Sequence, residues 1–300
     1  MFATRRQLVH RSAAHAFTLV ELLVVIAIVA LLLGILLPSL ASARESSRAA
    51  VCSSQARQLV ITSLLYSGDH KSHLAPGAAN FLANRTRWFG SRSGATGAFA
   101  STGGSLSGYL DSEAVRQCPT FSWRLEQLAR SNQGFERAGG GYGYNNAYAG
   151  VLRDGLAVRT DRSGERGDRF ALPSATLLFA DAAFASGSGG TGSSAEVIEY
   201  SFAEPRFLPG FEPAAGPAGG VSGGRAGEPA RFDPSIAFRH GSARPGSTGT
   251  ALVAWLDGHA SGESRTFTWA SGLYGGDPAR AGLGWFGRDD DNRLFCGQVR

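Results

Sequence analysis

The longest apolar stretch of the chain runs from Phe17 to Leu37 and reads FTLVELLVVIAIVALLLGILL. Glu21 is its only charged residue. A helix that spans the hydrocarbon core of a bilayer needs about 20 predominantly apolar residues, so the stretch predicts one membrane-spanning helix. Arg5, Arg6 and Arg11 precede it, and no acidic residue does. By the positive-inside rule, this asymmetry predicts a cytoplasmic N-terminus and an exported remainder.

The helical pattern continues beyond the apolar run. Residues 40–67 contain no glycine or proline, and Gly68 supplies a stop signal. Four apolar residues in this segment recur at roughly helical spacing, namely Val51, Leu59, Val60 and Leu64. We therefore expect one helix over 18–67, about 75 Å long at about 1.5 Å per residue. Its second half should be amphipathic and pack these apolar residues against the exported domain.

The rest of the chain mixes short β-like runs with segments rich in glycine, serine, alanine and proline. Strands are predicted at 175–181, 196–202, 235–239 and 250–257. Loops are predicted at 90–108, 185–195 and 210–228, and the glycine-rich segment 139–143 is also expected to be a loop. The expected class is α+β, with the long helix packed on a small antiparallel sheet that carries long loops.

Charge and motif content exclude several functions. The formal net charge is +5, but removing the first 16 residues leaves 26 basic and 24 acidic residues. No basic stripe remains, so nucleic acid is not an expected partner. The chain has no G-x-S-x-G, H-E-x-x-H or P-loop motif, and an enzyme is not predicted. Its three cysteines form no C-x-x-C pair of the kind that holds zinc.

The segment AFTLVELL, Ala16 to Leu23, resembles the signature of type IV prepilins and type II secretion pseudopilins. The resemblance implies cleavage between Ala16 and Phe17 by a prepilin peptidase, which then methylates the new Phe17 amine. Glu21 becomes the fifth mature residue, and Pro38 stands where many pilin helices kink. The family usually has glycine before the cut, where this chain has Ala16.

The chemistry of Glu21 supports this resemblance independently. A carboxylate within hydrocarbon costs at least about 2.5 kcal/mol, so it needs a partner. Cleavage before Phe17 creates an amine about one helical turn away. In a filament, the Glu21 carboxylate of an incoming subunit can pair with the amine of the subunit already in place. That pair removes two uncompensated charges from an apolar environment and sets the axial register.

Later segments are similar to a pseudopilin-like group common in planctomycetes and related bacteria. Its C-terminal signature places a histidine nine residues before Asp-Gly, whereas 16 residues separate His240 from Asp257 here. The similar segments are Val51–Leu59, Gln117–Pro119, Gly141–Asn145, Pro173–Asp181, Phe238–Gly241 and Trp255–His259. Because Cys52 and Cys118 lie in two of them, the resemblance implies a Cys52–Cys118 disulfide. The alternative, as in many major pilins, pairs Cys118 with Cys296.

Two groups of side chains are candidates for binding a metal ion. His240, Asp257 and His259 offer imidazole and carboxylate donors, and Asp181 is a candidate fourth ligand. The structural alternative is that Asp257-Gly258 forms a turn after a strand and His240-Gly241 mirrors it. The run Asp289-Asp290-Asp291-Asn292 offers oxygen donors for calcium, but it lacks EF-hand spacing and is otherwise a solvated charge cluster. No other cofactor is expected.

These observations predict four segments: a basic leader at 1–16, a membrane and assembly helix at 17–37, an exposed helix continuation at 38–67 and an exported pilin-like domain at 68–300. The predicted function is a structural subunit of a type IV pilus or secretion pseudopilus. Its partners by resemblance are the prepilin peptidase, like subunits, and an inner-membrane assembly platform with its ATPase.

The alternative is an exported soluble protein. Arg5-Arg6 then belongs to a twin-arginine-like signal, and Ala41-Ser42-Ala43 is the site of an ordinary signal peptidase. The two hypotheses differ in the mature N-terminus, which is Phe17 in the first and Arg44 in the second.

Overall fold

The structure is a computed structural model that describes residues 18–79, 81–94, 97–110, 115, 117–122, 136, 139–154, 157–186, 196–209, 231–241, 249–269, 276–288 and 291–297. Its α-helices include α1 (Leu19–Asp69), α2 (Pro278–Ala281) and α3 (Arg293–Cys296), and residues 119–122 form a further helical turn. Its strands are β1 (Thr86–Arg87), β2 (Gly90–Ser91), β3 (Tyr142–Tyr144), β4 (Leu152–Asp154), β5 (Ala157–Thr160), β6 (Leu177–Asp181), β7 (Phe184–Ser186), β8 (Glu196–Ile198), β9 (Ile236–Ala237), β10 (Thr250–Trp255), β11 (Ala260–Ser264) and β12 (Leu283–Gly284). Short 3₁₀ turns lie at Phe81–Ala83, Ser107–Tyr109, Gly167–Arg169 and Pro173–Ala175.

The chain divides into two compact units, Met1–Arg44 and Glu45–Arg300, and α1 contributes to both. α1 has 51 residues and continues through Pro38. It extends one residue past Gly68, which lies inside its last turn. The chain then leaves the helix through Lys71 and Ser72, which have positive φ angles of 54° and 68°. The Ser72 amide donates to the Ser67 carbonyl at 2.9 Å, which satisfies one of the last helical acceptors.

Small side chains dominate the buried face of α1 in the second unit. Its fully or nearly fully buried residues are Cys52, Ala56, Leu59, Val60, Thr62, Ser63 and Ser67. Of the four apolar residues expected on this face, Leu59 and Val60 are buried. The prediction is wrong for the other two, because Val51 is 45% exposed and Leu64 is 42% exposed. Small residues let a helix approach a sheet closely. The Tyr142 hydroxyl donates to the Cys52 carbonyl at 3.0 Å, which joins the two elements directly.

The central sheet has four antiparallel strands in the order β11-β10-β6-β3. β6 is buried along its whole length, as expected for an inner strand. In its register, Ala180 pairs with Val253 of β10 on one side and with Gly143 of β3 on the other. The remaining strands form two-stranded pairs, namely β1-β2, β4-β5, β7-β8 and β9-β12.

Each face of the central sheet has its own apolar cluster. On one face Leu178, Leu252 and Ala254 pack in the cluster that contains the buried residues of α1. On the other face Ala251, Val253 and Trp255 pack in a cluster with Ile236 of β9, Trp285 directly after β12 and Phe295 of α3. The alternation along β10 is the period-2 pattern of a strand buried on both sides.

The predicted α+β class is confirmed: one long helix accompanies small antiparallel sheets and loops. Each of the four predicted strand segments contains a strand, but only β6 and β10 belong to the central sheet. β8 ends at Ile198, and beyond it the Ser201 amide donates to the Glu136 carboxylate at 2.7 Å. The predicted loop 210–228 lies outside the described residues, as does most of 185–195.

The loop expected at 139–143 is partly wrong, because Tyr142 and Gly143 belong to β3. A glycine is required there by close packing. A Cβ atom at Gly143 would lie 2.5 Å from the Ala182 Cβ and 2.5 Å from the Phe202 carbonyl carbon. The glycine that suggested a loop therefore serves a close approach between neighbouring segments.

Candidate functional site

The first turn of α1 is closed by reciprocal hydrogen bonds between Thr18 and Glu21. The Thr18 amide and the Thr18 hydroxyl each donate to the Glu21 Oε2 atom at 2.8 Å. The Glu21 amide donates in return to the Thr18 hydroxyl oxygen at 3.2 Å. This is a capping box, in which a threonine and a glutamate three residues later satisfy each other's free amides. Sequence reasoning missed this role of Glu21, although the T-x-x-E spacing signals it.

Every residue from Thr18 to Arg44 is exposed in the structure. Leu19–Leu37 contains 15 leucine, isoleucine or valine residues, and they cover all sides of the helix. A helix that is apolar all round requires an apolar environment. Such residues each favour insertion by about 0.3–0.6 kcal/mol at the membrane centre, so together they outweigh the about 2.5–3.5 kcal/mol cost of one charged residue.

Among the described residues, α1 is the one helix long and apolar enough to cross a membrane by length and composition. A signal sequence near an N-terminus meets the same criterion, so only the processing motif can distinguish a membrane anchor from a signal sequence. Ala16 and Phe17, at the expected cleavage site, lie outside the described residues. Pro38 lies within α1 and cannot donate a hydrogen bond to the carbonyl of Gly34.

A second cluster lies inside the second unit, where Cys52, Cys118 and His240 meet. The two sulfur atoms are 2.7 Å apart, and both cysteines are fully buried and unbonded. The His240 Nε2 atom lies 3.9 Å from the Cys118 sulfur. The potential ligand atoms of the three residues lie within 4.8 Å of one another. The Cys52–Cys118 disulfide stays a prediction, and the structure brings its two sulfurs together.

Asp181, at the end of β6, organises the charges around this cluster. Its carboxylate lies 3.0 Å from His240 Nε2 and accepts hydrogen bonds from Arg239 at 2.7 Å and from the Leu252 amide at 2.8 Å. Burial raises the pKa of Asp181, but the charges of Arg239 and His240 outweigh it, so the net shift is downward. Burial lowers the pKa of His240, but the Asp181 carboxylate more than offsets this and raises it to about 9.

The pKa values of the two cysteines are shifted in opposite directions. The hydrogen bond from Cys118 is the main reason why the pKa of Cys52 is lowered. Burial is the main reason why the pKa of Cys118 is raised well above its ordinary value. Sequence reasoning missed Arg239 and Glu45, which also belong to this region: the Glu45 Oε1 atom lies 4.0 Å from His240 Nδ1.

The three residues first considered as a metal site are not brought together. Asp257 and His259 lie in the turn between β10 and β11, where the His259 Nδ1 atom is 2.6 Å from an Asp257 oxygen. His259 stacks on Trp255, and Gly258 takes the positive φ of 96° that the turn requires. Within the described residues, the metal-competent cluster that includes His240 contains Cys52 and Cys118 instead.

The acidic run near the C-terminus is described only in part, because Asp289 and Asp290 lie outside the described residues. Asp291 pairs with Arg293 at the start of α3. Asn292 is buried, accepts a hydrogen bond from the Phe207 amide and donates to the Phe207 carbonyl. These two side chains are therefore engaged in folding contacts.

The family model of the prokaryotic N-terminal methylation motif matches residues 11–37. No curated protein and no solved structure matches the chain. The match spans the expected cleavage site, Glu21 and the apolar run, and it supports the N-terminus of a type IV pilin-like precursor. Together with the long apolar segment of α1, it supports a protein anchored in the membrane by one N-terminal helix. A motif of this kind implies processing by a prepilin peptidase and assembly with like subunits.

Proposed function

We propose that this chain is the precursor of a structural subunit of a type IV pilus or type II secretion pseudopilus. A prepilin peptidase cuts it between Ala16 and Phe17 and methylates the Phe17 amine. The basic leader stays in the cytoplasm, and everything after Pro38, which includes residues 45–300, is exported. The observation that carries this proposal is the methylation-motif match at 11–37, with Glu21 as the fifth residue after the cut.

The geometry of the first turn is compatible with pairing between subunits. Both hydrogen bonds from Thr18 reach the same oxygen of Glu21. A carboxylate offers about four acceptor positions over its two oxygens, so capping leaves capacity for an amine of another subunit. After the subunit leaves the lipid, the Glu21 carboxylate then pairs with the amine of another subunit. The hydrogen bonds to Thr18 hold the Glu21 side chain at the start of the helix. Assembly of this kind needs the inner-membrane platform and the ATPase that the family resemblance implies.

The mature N-terminus tests the proposal directly. Mass spectrometry of the intact protein from membranes should give a chain that begins at Phe17 and carries one additional methyl group. Ala16→Asp should abolish this processing by placing a charge beside the scissile bond. Ala43→Asp is the matched control, because it would block a signal peptidase at 41–43 and leave prepilin processing intact. A mature N-terminus at Arg44 would exclude the pilin hypothesis and support the exported soluble protein.

A further inference from the structure

Cys52 and Cys118 come from distant parts of the chain and meet in the core. Cys52 lies on the buried face of α1, and Cys118 directly precedes the helical turn at 119–122. They are 66 positions apart, their sulfurs are 2.7 Å apart, and neither residue has exposed surface. Two thiols that are only packed together keep a larger separation, so these two sulfurs lie nearly at bonding contact.

A metal ion explains this arrangement less well. Two cysteine ligands of tetrahedral zinc are about 3.8 Å apart, because each Zn–S bond is about 2.3 Å long. The His240 Nε2 atom lies 3.9 Å from the Cys118 sulfur and also faces the Asp181 carboxylate at 3.0 Å. A histidine ligates metal through a free lone pair. Ligation by Nε2 would therefore break the buried His240–Asp181 pair, which holds the imidazole in its charged form.

We propose that Cys52 and Cys118 form a disulfide that fastens the exported part of α1 to the domain, and that this bond closes before the domain packs. The proposal rests on the export of residues 45–300 that the proposed function includes. An extracytoplasmic compartment is the setting in which protein disulfides form and persist. The order of events follows from burial, because an oxidant cannot reach either sulfur in the folded domain.

The chemistry is a thiol–disulfide exchange with a donor disulfide, carried by an extracytoplasmic oxidoreductase or a small molecule. Cys52 loses its proton and attacks one donor sulfur, which forms a mixed disulfide and releases one donor thiolate. The Cys118 thiolate then attacks the Cys52 sulfur and releases the second donor thiolate. The two cysteines lose two electrons, and the donor disulfide gains them. The two protons from the cysteines pass to the donor thiolates.

Alkylation of the full-length protein tests the bond. The protein is unfolded in denaturant with excess iodoacetamide and no reductant, and then digested with trypsin. We expect only Cys296 to be alkylated, and peptides 49–57 and 117–124 to be recovered joined and to separate on reduction. Alkylation of all three cysteines, or peptide 117–124 joined to peptide 294–300, would overturn the proposal. So would two protected cysteines accompanied by one equivalent of zinc that a chelator removes.

The order of closure is tested by refolding. The reduced, denatured chain is refolded with oxidised glutathione present either from the start or only after folding is complete. We expect rapid formation of the bond in the first case and slow formation, at the rate of global unfolding, in the second. Equal rates would show that the folded domain admits the oxidant, which contradicts closure before packing.

A variant series measures what the bond contributes. In the chain-entropy model, loss of a cross-link that closes a loop of this size raises the ratio of unfolded to folded protein by about a thousandfold. We expect this effect for the double variant Cys52→Ala/Cys118→Ala. Cys296→Ser, which alters a partly exposed cysteine outside the pair, is the matched control and should change the ratio little. Equal stability of the double variant and the control would argue against the bond.

The test of the disulfide can fail or succeed independently of the test of the proposed function. A mature N-terminus at Arg44 together with peptides 49–57 and 117–124 joined would reject the pilin subunit and keep the disulfide. A mature N-terminus at Phe17 with both thiols free would reject the disulfide and keep the pilin subunit.

Discussion

At the residue scale, Glu21 combines two physical functions in one carboxylate. Its hydrogen bonds with Thr18 begin the helix, and its charge is available to a neighbouring amine. A substitution that removes the whole side chain therefore changes both functions together. Glutamine separates them, because a capping box accepts either glutamate or glutamine at this position.

We predict that Glu21→Gln keeps membrane insertion and the start of α1 but fails to enter filaments. Thr18→Val should show the opposite pattern: it loses the cap, at a cost of about 1 kcal/mol, and retains incorporation. Glu21→Ala should lose both the cap and incorporation into filaments. Incorporation is measured by co-expression of each variant with the wild-type chain, and helix formation by circular dichroism of the matching peptides in micelles. Incorporation of Glu21→Gln at the wild-type level would refute the role of the charge in register.

At the element scale, α1 changes its surroundings along its length. Residues 18–44 are exposed and almost entirely apolar, whereas the face at Cys52, Ala56 and Ser63 is buried and consists of small residues. A hydrophobic-periodicity argument selects large apolar side chains and so placed Val51 and Leu64 inside. The helix instead buries small residues beside Leu59 and Val60, and it leaves Val51 and Leu64 exposed.

Two leucine substitutions in α1 should distinguish its buried face from its exposed face. Ala56→Leu adds three carbon atoms to a fully packed position and should destabilise the domain by about 1–3 kcal/mol. Ser54→Leu places the same side chain on an exposed position and should change the free energy of unfolding by less than about 0.5 kcal/mol. Denaturant titration of the purified protein measures both. A decrease in the free energy of unfolding for Ser54→Leu as large as that for Ala56→Leu would contradict the observed orientation of the helix.

At the scale of the whole unit Glu45–Arg300, one group of charged side chains is buried around Asp181. His240 faces Asp181 of β6, Glu45 of α1 and the thiol of Cys118, and Arg239 lies on the same carboxylate. The pKa of His240 is raised from its usual value of 6.5 to about 9. The pair therefore contributes its full stability below pH about 6.5 and loses it as the pH rises through about 9.

We predict that the free energy of unfolding of the wild-type protein falls between pH 6.5 and 9 by up to about 3 kcal/mol, since each unit of pKa shift corresponds to about 1.4 kcal/mol. His240→Gln should be less stable at pH 6 and should lack this decline. Asp181 acts with the opposite sign: its pKa is lowered, so its contribution is present at neutral pH and is lost as acid protonates it. His259→Gln, at the exposed hairpin turn, is the control. A decline in His240→Gln equal to that of the wild type would assign the pH dependence to other groups.

The sequence by itself determined the features that depend on neighbouring residues. The apolar run, its single Glu21 and the basic residues before it identify an anchor and a processing signal within 37 residues, because membrane insertion and peptidase recognition act on a contiguous segment. The α+β class also followed from local patterns, since β6 and β10 form apolar runs long enough to be recognised as strands. Short strands such as β3 were not predicted, because three residues carry no measurable pattern and a glycine indicates a loop.

Only the tertiary structure decided which distant side chains meet. His240 is more than 100 positions from Cys118 and nearly 200 from Cys52 in the sequence, and nothing in their local spacing predicts contact. Their meeting depends on the pairing of β6 with β3 and β10 and on the packing of α1 beside them. The same packing separated His240 from Asp257 and His259, because the β10–β11 turn carries those two residues to an exposed end of the sheet. Long-range burial of apolar surface decides these positions, and its energy is a sum over many contacts that no single motif encodes.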